Sequence, residues 1–381
     1  MFRAQHVKEK KKKKILFVEM GNSTTQQNLA SSESFPKLHE SLLSEAFLET
    51  IKSLAGESFQ FVPEECFVEN ISTKFEIIRT LGRGSSCEVY EAKSVDGKNQ
   101  PYVALKKLHL SDPKNQVRFR REVKILASLQ HPNVVKFYQA YVDSKNLYIA
   151  TKLCTGGDLL DRIRRFRTFT ERKAASILRS LIKTIAYCHT KNIVHRDLKP
   201  GNVVFESNQR NANLMIIDFG DALKVDDNKT YHSPCYLPFS TRPFPSYVYF
   251  GTLLYLPPEI HRRRFGWEMK KSDMWSIGII AYVLVTGKAP FMGTETHVMT
   301  QILNHREITW PEGCTLSDTC KQFIAKLLTR NTEIRMSAIQ ALKEPFLVQQ
   351  QSSTHLGDNL LQDIGNFYDA SSVILFVSID D

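Results

Sequence analysis

The sequence predicts an α+β fold of two unequal lobes, a small antiparallel sheet followed by a larger helical region, with a ligand cleft between them. Three observations lead there. Five short runs rich in β-branched and aromatic residues lie between positions 75 and 151. One stretch with helical apolar spacing interrupts them. After Gly156-Gly157 the apolar spacing lengthens to the helical period and stays there.

Taken in order, strands are expected over 75–81, 87–92 and 102–105, then a helix over 115–129, then strands around 134–141 and 147–151. These make a small lobe of residues 75–151. The large lobe runs over 155–346, with its clearest helices at 172–189 and 272–285. Residues 1–70 read as a basic, flexible N-terminal extension. Within it Leu38, Leu42, Leu43, Ala46, Phe47, Ile51 and Leu54 mark a helix over 38–54. Residues 347–381 form a C-terminal tail.

The net charge of +11 is unevenly spread. Residues 1–14 hold seven Lys or Arg against one Glu, a net of +6, which leaves about +5 for the remaining chain. The high pI is therefore an effect of the terminus, and a nucleic-acid partner is not expected. Seven cysteines, an odd number, are scattered without a Cys-x-x-Cys pair. That pattern argues against a disulfide framework or a zinc site and fits a reducing compartment. A cytoplasmic location is expected, with nuclear or membrane-associated alternatives suggested by the run Lys10–Lys14. No apolar run reaches membrane-spanning length, and no secretory signal is evident. Met20-Gly21-Asn22-Ser23-Thr24-Thr25 fits an N-myristoylation signal if translation starts at Met20, giving weak membrane association through Gly21.

The chemistry concentrates in two segments, His195-Arg196-Asp197-Leu198-Lys199-Pro200-Gly201-Asn202 and Asp218-Phe219-Gly220. Together they hold a carboxylate able to accept a hydroxyl proton, a lysine able to neutralise a moving phosphoryl group, and an Asn/Asp pair able to ligate metal. Upstream, Gly82-Arg83-Gly84-Ser85-Ser86-Cys87-Glu88-Val89 sits between two expected strands. Strand–loop–strand context points away from a dinucleotide fold, and glycines let the backbone approach phosphates. Lys106 ends the apolar strand Val103-Ala104-Leu105, and Glu122 in the following helix can pair with it.

On these residues the chain resembles a eukaryotic protein kinase over 75–346. The resemblance continues through Gly251-Thr252, Pro257-Pro258-Glu259, Asp273-Met274-Trp275-Ser276-Ile277-Gly278 and Arg335, the partner expected for Glu259. It implies a bilobal kinase fold using ATP and Mg2+. It implies that Asp197, Lys199, Lys106 and Glu122 are catalytic and that Asn202 and Asp218 hold magnesium. The nucleotide would be held by Leu81, Gly82, Gly84, Val89, Ala104, Lys106, Thr151, Lys152, Cys154, Asp158 and Val204, with Thr151 as gatekeeper and 152–154 as hinge. Leu126, Phe137, His195 and Phe219 would form an apolar column joining the lobes.

Lys199-Pro200 resembles the serine/threonine class. Gly156-Gly157-Asp158 and Ala341-Leu342-Lys343-Glu344-Pro345-Phe346 resemble the calcium/calmodulin-dependent group, above all calcium-dependent protein kinases. The resemblance implies protein substrates bearing Ser or Thr. Several departures qualify it. No EF-hand loop occurs, and residues 347–381 contain no Lys or Arg, which speaks against a calmodulin-binding helix. Cys87 stands where a third glycine is usual, Gly201 where a substrate-contacting glutamate is often found, and Asp221 follows Gly220. The Asp218–Glu259 segment is 42 residues long and rich in Pro and aromatics over 231–250. Arg196 could pair with a phosphate placed there by an upstream kinase, at Thr230, Ser240, Thr241 or Ser246. The alternative reading is a kinase-like scaffold that binds ATP without transfer.

Overall fold

A computed structural model describes residues 66–84, 87–95, 101–166, 169–209, 211–226, 253–261, 269–304 and 307–348. Lys10–Lys14, Gly21, the 38–54 helix, Ser85, Ser86, the four candidate phosphate acceptors, the 231–250 insert, Gly251-Thr252 and the tail from 349 onward lie outside the described residues.

Alternating burial builds the first sheet. β1 (Phe75–Arg83), β2 (Cys87–Ser94), β3 (Tyr102–His109), β4 (Phe137–Val142) and β5 (Asn146–Lys152) join antiparallel in the order β1-β2-β3-β5-β4. Val103 and Leu105 of β3 are buried in one cluster with Phe75, Ala92, Tyr148 and Ala150. The period of two therefore turns Ala104 and Lys106 to the opposite face. β1 carries register shifts between Ile77 and Arg79 and between Thr80 and Gly82, which bend it before the glycine loop. α1 (Pro113–Ser128) begins where Asp112 accepts from the Lys114 amide at 2.9 Å and proline occupies the first turn. Its Phe119, Val123 and Leu126 are buried against the sheet, and so is Glu122.

Packing starts earlier in the chain than expected. Cys66, Val68 and Ile71 are buried, Phe67 bridges Val142 in parallel, and the Val68 amide donates to the Val142 carbonyl at 2.9 Å. Asn70 caps a short 3-10 turn, Ile71–Thr73. The extension expected through residue 70 thus overlaps the small lobe from Cys66 onward. The reason is the exposed edge of β4, whose backbone groups need a partner.

The large lobe is helical. α2 (Leu159–Phe166), α3 (Glu171–Thr190), α4 (Pro258–His261), α5 (Lys270–Thr286), α6 (Glu295–Asn304), α7 (Asp318–Leu327), α8 (Ala338–Ala341) and α9 (Pro345–Val348) form it, with two small pairs, β6 (Ile193–Val194) with β9 (Leu223–Lys224) and β7 (Val203–Phe205) with β8 (Leu214–Ile216). The expected helices at 172–189 and 272–285 appear within two residues as α3 and α5. α5 is buried from Lys271 to Thr286, so it is the axis of the lobe. A Cβ on Gly278 would come within 2.7 Å of Leu328, so glycine lets α5 approach the end of α7 closely. The lobes are stitched by the Val135 amide to the Ile216 carbonyl at 3.0 Å, and just beyond the linker the Gly156 amide reaches the Phe205 carbonyl within the large lobe at 2.9 Å. Gly156 is required at that contact, because a Cβ would lie 2.2 Å from the Ser207 carbonyl oxygen.

Candidate active site

Lys106 is the hub of the interlobe face. It stands opposite Val89 on β2 and Ile149 on β5. Its Nζ donates to Glu122 Oε1 at 3.0 Å, to Glu122 Oε2 at 2.8 Å and to Asp218 Oδ1 at 2.7 Å. Burial works against the lysine charge, but Asp218 and Glu122 outweigh it and raise its pKa, so it stays cationic. Burial likewise opposes ionisation of Asp218, yet Lys106 holds its pKa below the ordinary value. Burial raises Glu122, with Lys106 pulling the other way. One cation thus bridges a carboxylate from α1 and one from the 218–220 loop.

The 195–202 loop is anchored by α5. Asp273, fully buried, accepts from the backbone amides of His195 at 3.0 Å and Arg196 at 2.9 Å and contacts His189 Nε2 at 2.9 Å. Arg196 and Asp218 both take left-handed backbone conformations, φ 69 and 59, which cost non-glycine residues about 1–3 kcal/mol each and persist where neighbours hold them. Downstream, Asp197 is held by its own loop. Lys199 Nζ donates to its Oδ2 at 2.9 Å, and Asn202 Nδ2 to its Oδ2 at 3.0 Å and its carbonyl at 2.7 Å. Burial opposes the Lys199 charge, but Asp197 raises its pKa.

These positions are compatible with a magnesium–nucleotide pair. Among the described residues no group of three or more His, Cys, Asp or Glu could hold a metal. Asp218 and Asn202 would supply two ligands, part of a shell, which suits magnesium, a cation that commonly shares its ligands among carboxylates, phosphates and water. With Asn202 Nδ2 engaged by Asp197, its carboxamide oxygen is the atom suited to a cation. Gly220 lies tight under this cluster, where a Cβ would come 3.1 Å from Asp218 Oδ1 and 3.2 Å from Glu122 Oε2.

The remaining expected residues line up along the same face. Leu81 and Gly82 lie near the end of β1, and Gly82 pairs with Val89. The Gly84 amide donates to the Cys87 carbonyl at 2.8 Å, closing the loop tip. Ala104 stands opposite Thr151, whose hydroxyl reaches the Ala104 carbonyl at 3.5 Å. Lys152 pairs with Glu206 across the lobes. Burial raises the Cys154 thiol to about 11. Asp158 Oδ1 accepts from the Asp161 amide at 2.8 Å and bridges Val204 through the backbone. Val89, Ala104 and Val204 are each half-buried. In the expected apolar column, His195 and Phe219 have ring centroids 4.8 Å apart, Leu126 is buried and Phe137 packs beside the same core. Arg335 meets Glu259 through two bonds, at 2.7 and 2.8 Å.

Three contributors escaped the sequence reading as site residues. Asp273 heads the motif 273–278 quoted above, but its hold on the loop runs through backbone amides, to which no side-chain pattern points. Glu206 has no sequence signal. Arg118 pairs with Asp221 at 3.0 Å, and its one signal was its place four residues before Glu122 on the same helix face.

Comparison with known proteins follows the same outline. A family model, the protein kinase domain, matches residues 75–347. The chain is 35% identical over 300 residues to calcium/calmodulin-dependent serine/threonine-protein kinase 1 of Oryza sativa, covering 74% of this chain and 45% of that protein. It is 32% identical over 302 residues to calcium-dependent protein kinase 5 of Plasmodium falciparum, covering 77% and 49% respectively. With calcium/calmodulin-dependent protein kinase type I of Schizosaccharomyces pombe it shares 33% over 304 residues, covering 78% and 84%. The chain spans about half the length of the first two of these relatives.

Proposed function

This chain belongs to the protein kinase family, and on that premise we propose that it is a serine/threonine protein kinase transferring the γ-phosphoryl group of ATP to protein hydroxyls. The observation that carries the reading is the double engagement of Lys106 by Glu122 and Asp218, formed within one interlobe face that also holds Asp197, Lys199 and Asn202. Relatives named as serine/threonine or calcium-dependent kinases support the class.

In this reading Lys106 binds the α- and β-phosphates, its ammonium held in place by Glu122. Asp197 orients the substrate hydroxyl and takes its proton as the oxygen–phosphorus bond forms and the bond to the β-phosphate oxygen breaks. Lys199 offsets the charge that develops on the transferring group. Asp218 and Asn202 would hold magnesium, which supplies charge neutralisation on the phosphates. Leu81, Val89, Ala104 and Val204 offer apolar surface to the base, and 152–154 the hinge backbone. A cytoplasmic location and control by an upstream kinase belong to the same proposal.

The test is transfer of labelled γ-phosphate from Mg-ATP to a mixed Ser/Thr peptide library, comparing wild type with Asp197→Asn, with and without calcium. Transfer lost in the variant supports the reading. ATP binding with no transfer by wild type overturns it in favour of a scaffold.

A further inference from the structure

We propose that Asp221 is a positioning residue, and that its pair with Arg118 is a second clamp holding α1 against the 218–220 loop. The proposal deepens the kinase reading and rests on it for its consequence in activity.

Helix geometry makes the argument. Arg118 and Glu122 are four residues apart on α1, so they rise from one face on successive turns. Glu122 grips Lys106, which reaches Asp218 at 2.7 Å, while Arg118 Nη2 reaches Asp221 Oδ2 at 3.0 Å. Two turns of one helix therefore hold the two ends of the same four-residue stretch, 218 to 221. Gly220 lies between, close enough to Glu122 that an added Cβ would come within 3.2 Å of its carboxylate. Rotation or withdrawal of α1 would strain both grips together.

Asp221 also joins a third element. Its carbonyl accepts from Arg196 Nε, and Arg196 immediately precedes Asp197 in a left-handed backbone conformation. One residue thus ties α1 by its side chain and the catalytic loop by its backbone. With side-chain exposure of 32% for Arg118 and 44% for Asp221, the pair adds little to global stability, so its effect is local to α1 and the 218–221 stretch. The grip is made entirely by groups encoded in the chain.

The test uses the full chain as wild type, Asp221→Asn, Arg118→Gln and the charge exchange Arg118→Glu with Asp221→Arg. Readouts are kcat/KM for ATP, melting temperature, and hydrogen exchange of peptides covering 113–128. Each single substitution is expected to lower kcat/KM about fivefold, the scale of one partly exposed ion pair, and to speed exchange in α1, with melting shifted by less than about 2 °C. The charge exchange should recover most of both losses, which a nonspecific structural effect would not. Single variants that match wild type in activity and exchange, or a charge exchange no better than the worse single, overturn the clamp. An inactive wild type would sink the kinase reading alone, because α1 exchange would still decide the clamp.

Discussion

Replacing Glu259 by Gln should unfold the large lobe more than any exposed charge change could. Arg335 is fully buried and Glu259 only 6% exposed. The guanidinium also donates to the carbonyls of Thr329 at 2.7 Å and Lys271 at 2.9 Å and lies 5.2 Å from the Trp275 ring. Those carbonyls satisfy donors but do not neutralise a charge. Removing the carboxylate therefore strands a buried cation, a change that costs about 3–5 kcal/mol. For the 75–347 domain, an unfolding entropy of about 2.1 cal/mol/K per residue gives roughly 0.6 kcal/mol/K, so melting should fall by about 5–9 °C. Urea unfolding followed by tryptophan fluorescence would give the free energy, and calorimetry the melting shift. The double variant Glu259→Leu with Arg335→Met should recover part of the loss, though not all, because the Thr329 and Lys271 carbonyls lose their donor. A Glu259→Gln cost under about 1 kcal/mol would mean the pair behaves as a surface pair, and the argument from burial would fail.

Lys106→Met should lower kcat/KM by about 10²–10³, and it should also lower melting because it strands the buried Glu122 carboxylate; a loss below tenfold in a peptide-phosphorylation assay would contradict its role. For Asp273, burial opposes its charge, but His189 and the loop amides hold its pKa below the ordinary value, so its carboxylate stabilises the fold at neutral pH and that gain is lost as pH falls through the lowered value. Asp273→Asn should therefore be less stable than wild type by about 2–3 kcal/mol at pH 7, with the gap narrowing below about pH 4 in denaturation titrations. Cys154, raised by burial to about 11, should alkylate slowly at pH 8 and faster as pH approaches 11, as peptide mass spectrometry would reveal; rapid labelling at pH 7 would contradict the burial. A chain starting at Phe75 should be less stable than one starting at Cys66, and Ile71→Ala should cost about 2–4 kcal/mol by urea unfolding; equal stability would mean the flank contributes nothing.

Much of the fold could be read directly. Strand runs before Gly156 and helical spacing after it gave both lobes, because period two and period 3.6 are local properties. The order Lys106, Glu122, Asp197, Asn202, Asp218 pointed to the candidate site, because its chemistry needs particular side-chain types in a fixed order. The domain edge was less legible. Residues 66–73 carry no strong periodicity, and their place against β4 follows from an edge that needed cover.

The sequence by itself determined the kinase outline, the identity of its charged groups and the unusual Asp221 and Gly201. Beyond the Lys106–Glu122 and Arg335–Glu259 pairs expected from the sequence, tertiary structure alone decided which of those charges meet. Lys106 and Asp218 are 112 residues apart, Arg118 and Asp221 are 103, and Lys152 and Glu206 are 54. Asp273 reaches backbone amides 77 and 78 residues away, groups that every residue but proline possesses. No local pattern specifies such partners, since Coulomb attraction and hydrogen bonding depend on distance in space, which only the packed lobes set.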